Sequence, residues 1–214
     1  MRDGYVYRGE RHGERLKHTA CRTLYAYWDL LRAGRPAPPR ADVEPAEIGR
    51  ILSDTFILEV PDAATFAYRL AGTRVCACFG RELKGENWLA AWTNRDRETL
   101  ATLMLSIVRD GASAAIEFTG TNAHGQATPF ETLLLPLKHR GPGYTRILGA
   151  TVPLDDPYWL GAHPLTDLAL TRLRLIWSHD GTDMIGSDPV RDLRHLLPLR
   201  RRKHLALYDG GVSD

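Results

Sequence analysis

Cys76 and Cys78 stand two residues apart in RVCACF, and thiols at short spacing raise the chemistry of metal ligation and of disulfide exchange. On a helix, residues two apart diverge by about 200° around the axis, so both thiols reach one ion only if the turn is irregular. A structural zinc site needs four ligands, usually with CxxC spacing, and the sequence holds no second pair. The favoured reading is two small buried side chains with no metal ligand assigned, redox exchange being the alternative.

Glu117 and Glu131 form a second group. If the loop NAHGQ is a hairpin centred on His124, Phe118 faces Phe130, Ala115 faces Leu133, and Glu117 faces Glu131. Two facing carboxylates share a proton or bracket a cation, and such a pair can supply the acid and base of a hydrolase. No nucleophile, oxyanion loop or metal cluster accompanies them, so no catalytic residue is assigned and the chain reads as a non-enzyme. Arg69, a charge inside an apolar strand, or Arg74 is the expected neutralising cation.

A third group is basic: Arg191, Arg194, Arg200, Arg201, Arg202 and Lys203 lie close together near the C-terminus. Such a run, above all Arg200 to Lys203, can grip the phosphates of a nucleotide or of nucleic acid, which would make the chain a nucleotide- or nucleic-acid-binding regulator. Across the chain, however, 28 basic residues meet 26 acidic ones for a net charge of +2. That balance does not make nucleic acid the default partner, and most charge runs are solvated faces.

These residues need elements to position them. Leu16, Ala20, Leu24, Tyr27, Trp28 and Leu31 recur at helical spacing and Gly34 with Pro36 ends the run, predicting an amphipathic helix over 17–33. After RPAPPR, Asp42 and Pro45 introduce a turn of helix. TFILEV and Phe66 to Ala71 read as two strands, Thr73 as the cap of a short helix RVCACF stopped by Gly80, and 95–110 as a helix with the stripe Leu100, Leu103, Met104, Ile107. SAAIEFTGT, PFETLLLPL and TRILGATVPL are three further strands, and Leu165 to Trp177 reads as a last helix. The central strands are apolar on both faces, so the sheet needs two covers. The N-terminal helix or a second subunit is the candidate for the second.

Residues 1–15 lack periodicity and read as a disordered lead-in, 16–177 as one domain, and 178–214 as a flexible linker with a basic tail. Three cysteines argue against a disulfide framework and for a reducing, cytoplasmic setting. No run approaches the roughly 18 apolar residues that would span a bilayer, and the N-terminus lacks a signal peptide's apolar centre.

The segments YWDLLRAGRPAPPRADVEPAEI, YRLAGT, FGRELKG, FETLLLPL and RILGA resemble the motif series of a PAS-domain family of alphaproteobacteria, over about Leu24 to Trp177. The resemblance implies an α+β PAS fold: a five-stranded antiparallel sheet in order 2-1-5-4-3 with a helical lid, here with an added N-terminal helix and C-terminal helix and tail. It implies a sensory or regulatory module that binds a small ligand or a protein partner, works as a homodimer and signals through a separate chain. Phe79, Trp88, Trp92 and Met104 fall where such a lid faces the sheet, and Cys76, Arg69 and Glu131 complete the expected pocket. Flavin-binding relatives carry a cysteine in an Asn-Cys-Arg-Phe motif, where this chain reads NWLAAWTNRD. Haem-binding ones often use a histidine on the long helix, and 95–110 contains none, leaving Met104 or an unplaced histidine as ligand. Flavin and haem are both disfavoured and the cofactor is left unknown.

Overall fold

The computed structural model describes residues 16–139, 141 and 143–176, with the backbone of three short strands beyond them. The lead-in 1–15 and most of the linker and tail lie outside the described residues. Helix α1 (Thr19–Arg32) ends through Ala33 and Gly34, both at positive φ. A 3-10 turn (Arg40–Asp42) and a kinked 3-10 segment (Pro45–Asp54) lead into strand β1 (Thr55–Glu59). Next come β2 (Ala67–Ala71), helix α2 (Thr73–Phe79), a 3-10 turn (Trp88–Ala91) and helix α3 (Asn94–Asp110). Strands β3 (Ser113–Asn122), β4 (Ala127–Leu137), β5 (Arg146–Pro153) and β6 (Leu165–Ile176) complete the domain, and β7 (Met184–Gly186) adds an edge.

All seven strands form one sheet in the order β2-β1-β5-β4-β3-β6-β7, with antiparallel neighbours throughout. Its first five members are the expected series, with β1 and β5 adjacent. The β3–β4 register is also the expected one: Phe118 opposite Phe130, Glu117 opposite Glu131, Ala115 opposite Leu133.

The last helix of the sequence reading is corrected to a strand. Leu165, Leu168, Leu170, Leu173 and Leu175 are spaced by three and two in alternation, which mimics a helical stripe. Register shifts in the β3–β6 ladder fall where Thr166 and Thr171 are inserted without partners, and each inserted residue lengthens one interval from two to three. The five leucines thereby stay on one face, opposite Asn122, Gly120, Phe118, Ile116 and Ala114. The sheet is accordingly longer than the five strands expected. Helix α2 begins at Thr73, with Gly72 rather than Thr73 in the capping position.

The sheet separates two cores. On the inner face, Phe56, Ile116, Phe118, Phe130 and Leu134 pack with Leu100, Leu103, Met104 and Ile107 of α3 and with Trp88 and Trp92. On the outer face, Ile57, Leu133, Leu135, Leu148 and Val152 pack with Leu16, Cys21, Leu24, Tyr25 and Trp28. The chain's own N-terminal helix therefore covers the second apolar face. The indole N–H of Trp28 donates to the Pro136 carbonyl at 2.8 Å, fixing how α1 lies across β4. Gly149 permits the tight centre of the sheet, since a Cβ there would come within 2.2 Å of the Phe56 ring.

Candidate functional site

The expected pocket residues divide between places. Phe79, Trp88, Trp92 and Met104 are buried together in the inner core, with Cys76 half-buried at its margin. Arg69 is the residue inserted at the bulge between β1 and β2, so it leaves the apolar face and meets Glu59 at 3.5 Å near solvent. Glu131 faces the opposite side of the sheet, under α1. The seven residues do not converge on one cavity. Arg200 and Lys203 lie outside the described residues, and of Arg201 and Arg202 only the backbone is described, paired with Leu205–Ala206.

The glutamate pair has a structural explanation. The two carboxylate oxygens of Glu131 accept the backbone N–H groups of Lys17 and His18, each at 2.9 Å, and the residue is 2% exposed. His18 Nδ1 accepts the N–H of Ala20 at 3.1 Å. Amides at a helix start have no partner within the helix, and here a strand from the sheet supplies the carboxylate that caps them. Glu117 holds the Lys17 ammonium at 2.7 Å and Arg172 of β6 at 3.7 Å. The expected cations, Arg69 and Arg74, are elsewhere: Arg74 forms a two-pronged contact with Asp54. Both oxygens of Glu131 are thus engaged and sealed from solvent, while Glu117, partly exposed, is held between two cations.

The thiols are held in their protonated form. Burial, followed by the Glu131 carboxylate, pushes the Cys21 thiol well above its usual range, and burial drives Cys78 up to about 11. Desolvation also raises Cys76. A thiol kept neutral is a poor nucleophile and a poor metal ligand. Among the described residues no three His, Cys, Asp or Glu side chains gather in a metal-binding arrangement.

The inner chamber is filled by a chain of rings: Trp88 to Trp92, Trp92 to Phe118, and Phe118 to Phe130, each 5.0 Å between centroids, the last pair stacked. Two buried polar atoms here lack partners among the described residues, Trp92 Nε1 and Thr128 Oγ1. They belong to one row across the sheet, for Trp92 bridges Leu168, Leu168 pairs with Gly120, and Gly120 pairs with Thr128.

A cavity of about 540 Å³ opens on the outer face. Its floor is Thr55, Ile57, Leu70 and Leu148, and its far wall is the 3-10 segment Pro45–Asp54 through Pro45, Ile48, Gly49 and Leu52. Leu52 and Leu70 are 43% and 52% exposed at its edge, and Arg40 is the charged side chain in the lining. The segment is anchored at both ends. Tyr27 of α1 accepts the Glu44 N–H at 2.8 Å, and Arg74 of α2 grips Asp54. Gly72 allows the close approach, since a Cβ there would lie 2.3 Å from the Ser53 carbonyl oxygen. The sequence reading missed this cavity. Its available signal was the run of turn-forming residues from Pro36 to Pro45, which fits neither a regular helix nor a strand.

The PAS domain family profile matches residues 16–152. The chain belongs to the PAS-domain family. That span takes in α1 as well as the five-strand core, whereas β6 and β7 lie beyond it. No curated protein matches this PAS chain. Membership indicates a module of sensory or regulatory type, and among the described residues no helix is long and apolar enough to cross a membrane.

Proposed function

We propose that this PAS protein is a sensory or regulatory module that binds a small ligand in the outer-face cavity and signals through a separate chain. The cavity itself carries the reading: about 540 Å³ lined mainly by apolar side chains lies within the usual range for small-molecule sites, roughly 300 to 1,000 Å³. Its wall is tied to α1 by the Tyr27–Glu44 hydrogen bonds, so an occupant that shifts the 3-10 segment biases how α1 sits on the sheet. Helix α1 is the element available to report occupancy to a partner or to a second copy in a homodimer. Native mass spectrometry of freshly purified protein tests this. A retained small molecule in the parent, lost in Leu70→Trp, is expected; retention unchanged by that substitution contradicts the assignment.

One observation favours a second reading. Trp92 Nε1 and Thr128 Oγ1 are buried on the inner face without a partner among the described residues, hydrogen-bonding capacity that a small polar ligand entering between the rings would use. A ligand retained in the Leu70→Trp protein and lost in Trp92→Phe would select this site instead.

A further inference from the structure

We infer that the outer-face cavity selects an amphiphile with an apolar body and an anionic end, the anion being held by Arg40. The inference rests on the cavity reading above and adds the chemical class of the ligand. The floor and wall present Val43, Ile48, Leu52, Ile57, Leu70 and Leu148, which reward an apolar body and offer a polar one little. A wholly apolar ligand would leave Arg40 beside it without a counter-charge. Arg40 is half-buried as a residue, and the contact of its guanidinium to the Val43 carbonyl at 3.4 Å is long. Among the described residues no carboxylate forms an ion pair with it, while nearby Asp42 is directed to Arg35 at 3.7 Å. A guanidinium has five N–H donors in a planar fork that matches a carboxylate or phosphate, so most of its capacity is open to a ligand. No acidic side chain lines the cavity, which removes the usual means of holding a cationic ligand.

Isothermal titration of the full chain with decanoate, decanol and decyltrimethylammonium, each kept below its micellar concentration, separates the possibilities because the three share one apolar body. Decanoate is expected to bind about ten-fold more tightly than decanol, the difference that hydrogen bonds to a charged group supply, and the cation most weakly. Arg40→Gln should bring decanoate to the level of decanol, and Arg40→Lys should keep part of the preference. Leu70→Trp, at an exposed edge position, should weaken both. Equal binding of decanoate and decanol, or an unchanged preference in Arg40→Gln, overturns the anionic assignment and leaves the cavity as a binding site. Binding of none of the three, or binding indifferent to Leu70→Trp, overturns both. A dimer that must dissociate before decanoate binds would show that a second copy fills the cavity, and would overturn the assignment as well.

Discussion

At the scale of the residue, the side chains that drew attention by their chemistry are held in unreactive states by their surroundings. Cys78 illustrates the physics. Burial first, and the Asp54 carboxylate second, push its thiol up from the usual 9.0 to about 11 in the fold. Between those values the folded protein holds a proton that the unfolded chain has released, so stability falls as pH rises. The contribution is complete below pH 9 and lost by about pH 11. Tyr68, buried and pushed up in the same direction, adds to the decline above pH 10. Urea unfolding at pH 8, 9, 10 and 11 should show this loss, and Cys78→Ala should show a shallower one across the same window. A parent and variant with parallel profiles would remove Cys78 as the cause.

At the scale of the element, the decisive relation is between α1 and β4. A helix of 14 residues is marginal in isolation, and this one gains stability from its apolar stripe and from a cap that comes from 113 or 114 positions away in sequence. Replacing Glu131 with Gln preserves size and leaves one good acceptor where two are used, with an NH₂ group facing a backbone N–H. The expected cost is about 1 to 3 kcal/mol, seen as a lower urea midpoint with an unchanged slope. Amide exchange should accelerate first in residues 17–22. A Glu131→Gln protein of parental stability would show that the two hydrogen bonds do not secure the helix. Strand β6 is instructive at the same scale. Thr166 and Thr171 are inserted into it, and the resulting three-and-two spacing of leucines is indistinguishable from a helical stripe until the β3 register is known.

At the scale of the whole molecule, a two-faced sheet between two cores explains why α1 cannot be spared. Leu24, Tyr25 and Trp28 are nearly or fully buried on the outer face, and each large apolar side chain contributes about 1.5 to 3 kcal/mol by leaving water. Deleting residues 1–34 also uncovers Leu133, Leu135 and Leu148, and should give an aggregate or a species of much lower melting temperature. Sedimentation and thermal unfolding will show which. A monomer as stable as the parent would mean that α1 is an accessory.

The sequence by itself determined the parts that depend on local rules. These are the period and stop of α1, the hairpin register that set Glu117 against Glu131, and the strand series whose motifs resemble the PAS family. The need for two covers was legible too, because alternate residues of β3 and β4 are apolar on both sides. Tertiary structure decided the rest, for reasons that no window of sequence contains. The identity of β6 depended on its pairing with β3. The role of Glu131 depended on amides more than a hundred residues away, and the exposure of Arg69 on a bulge created by its neighbour strand. The cavity exists because Gly72, Tyr27 and Asp54, far apart along the chain, hold the 3-10 segment at a fixed distance from the sheet. The volume of an open cavity is a property of that spacing, and local propensity does not encode it.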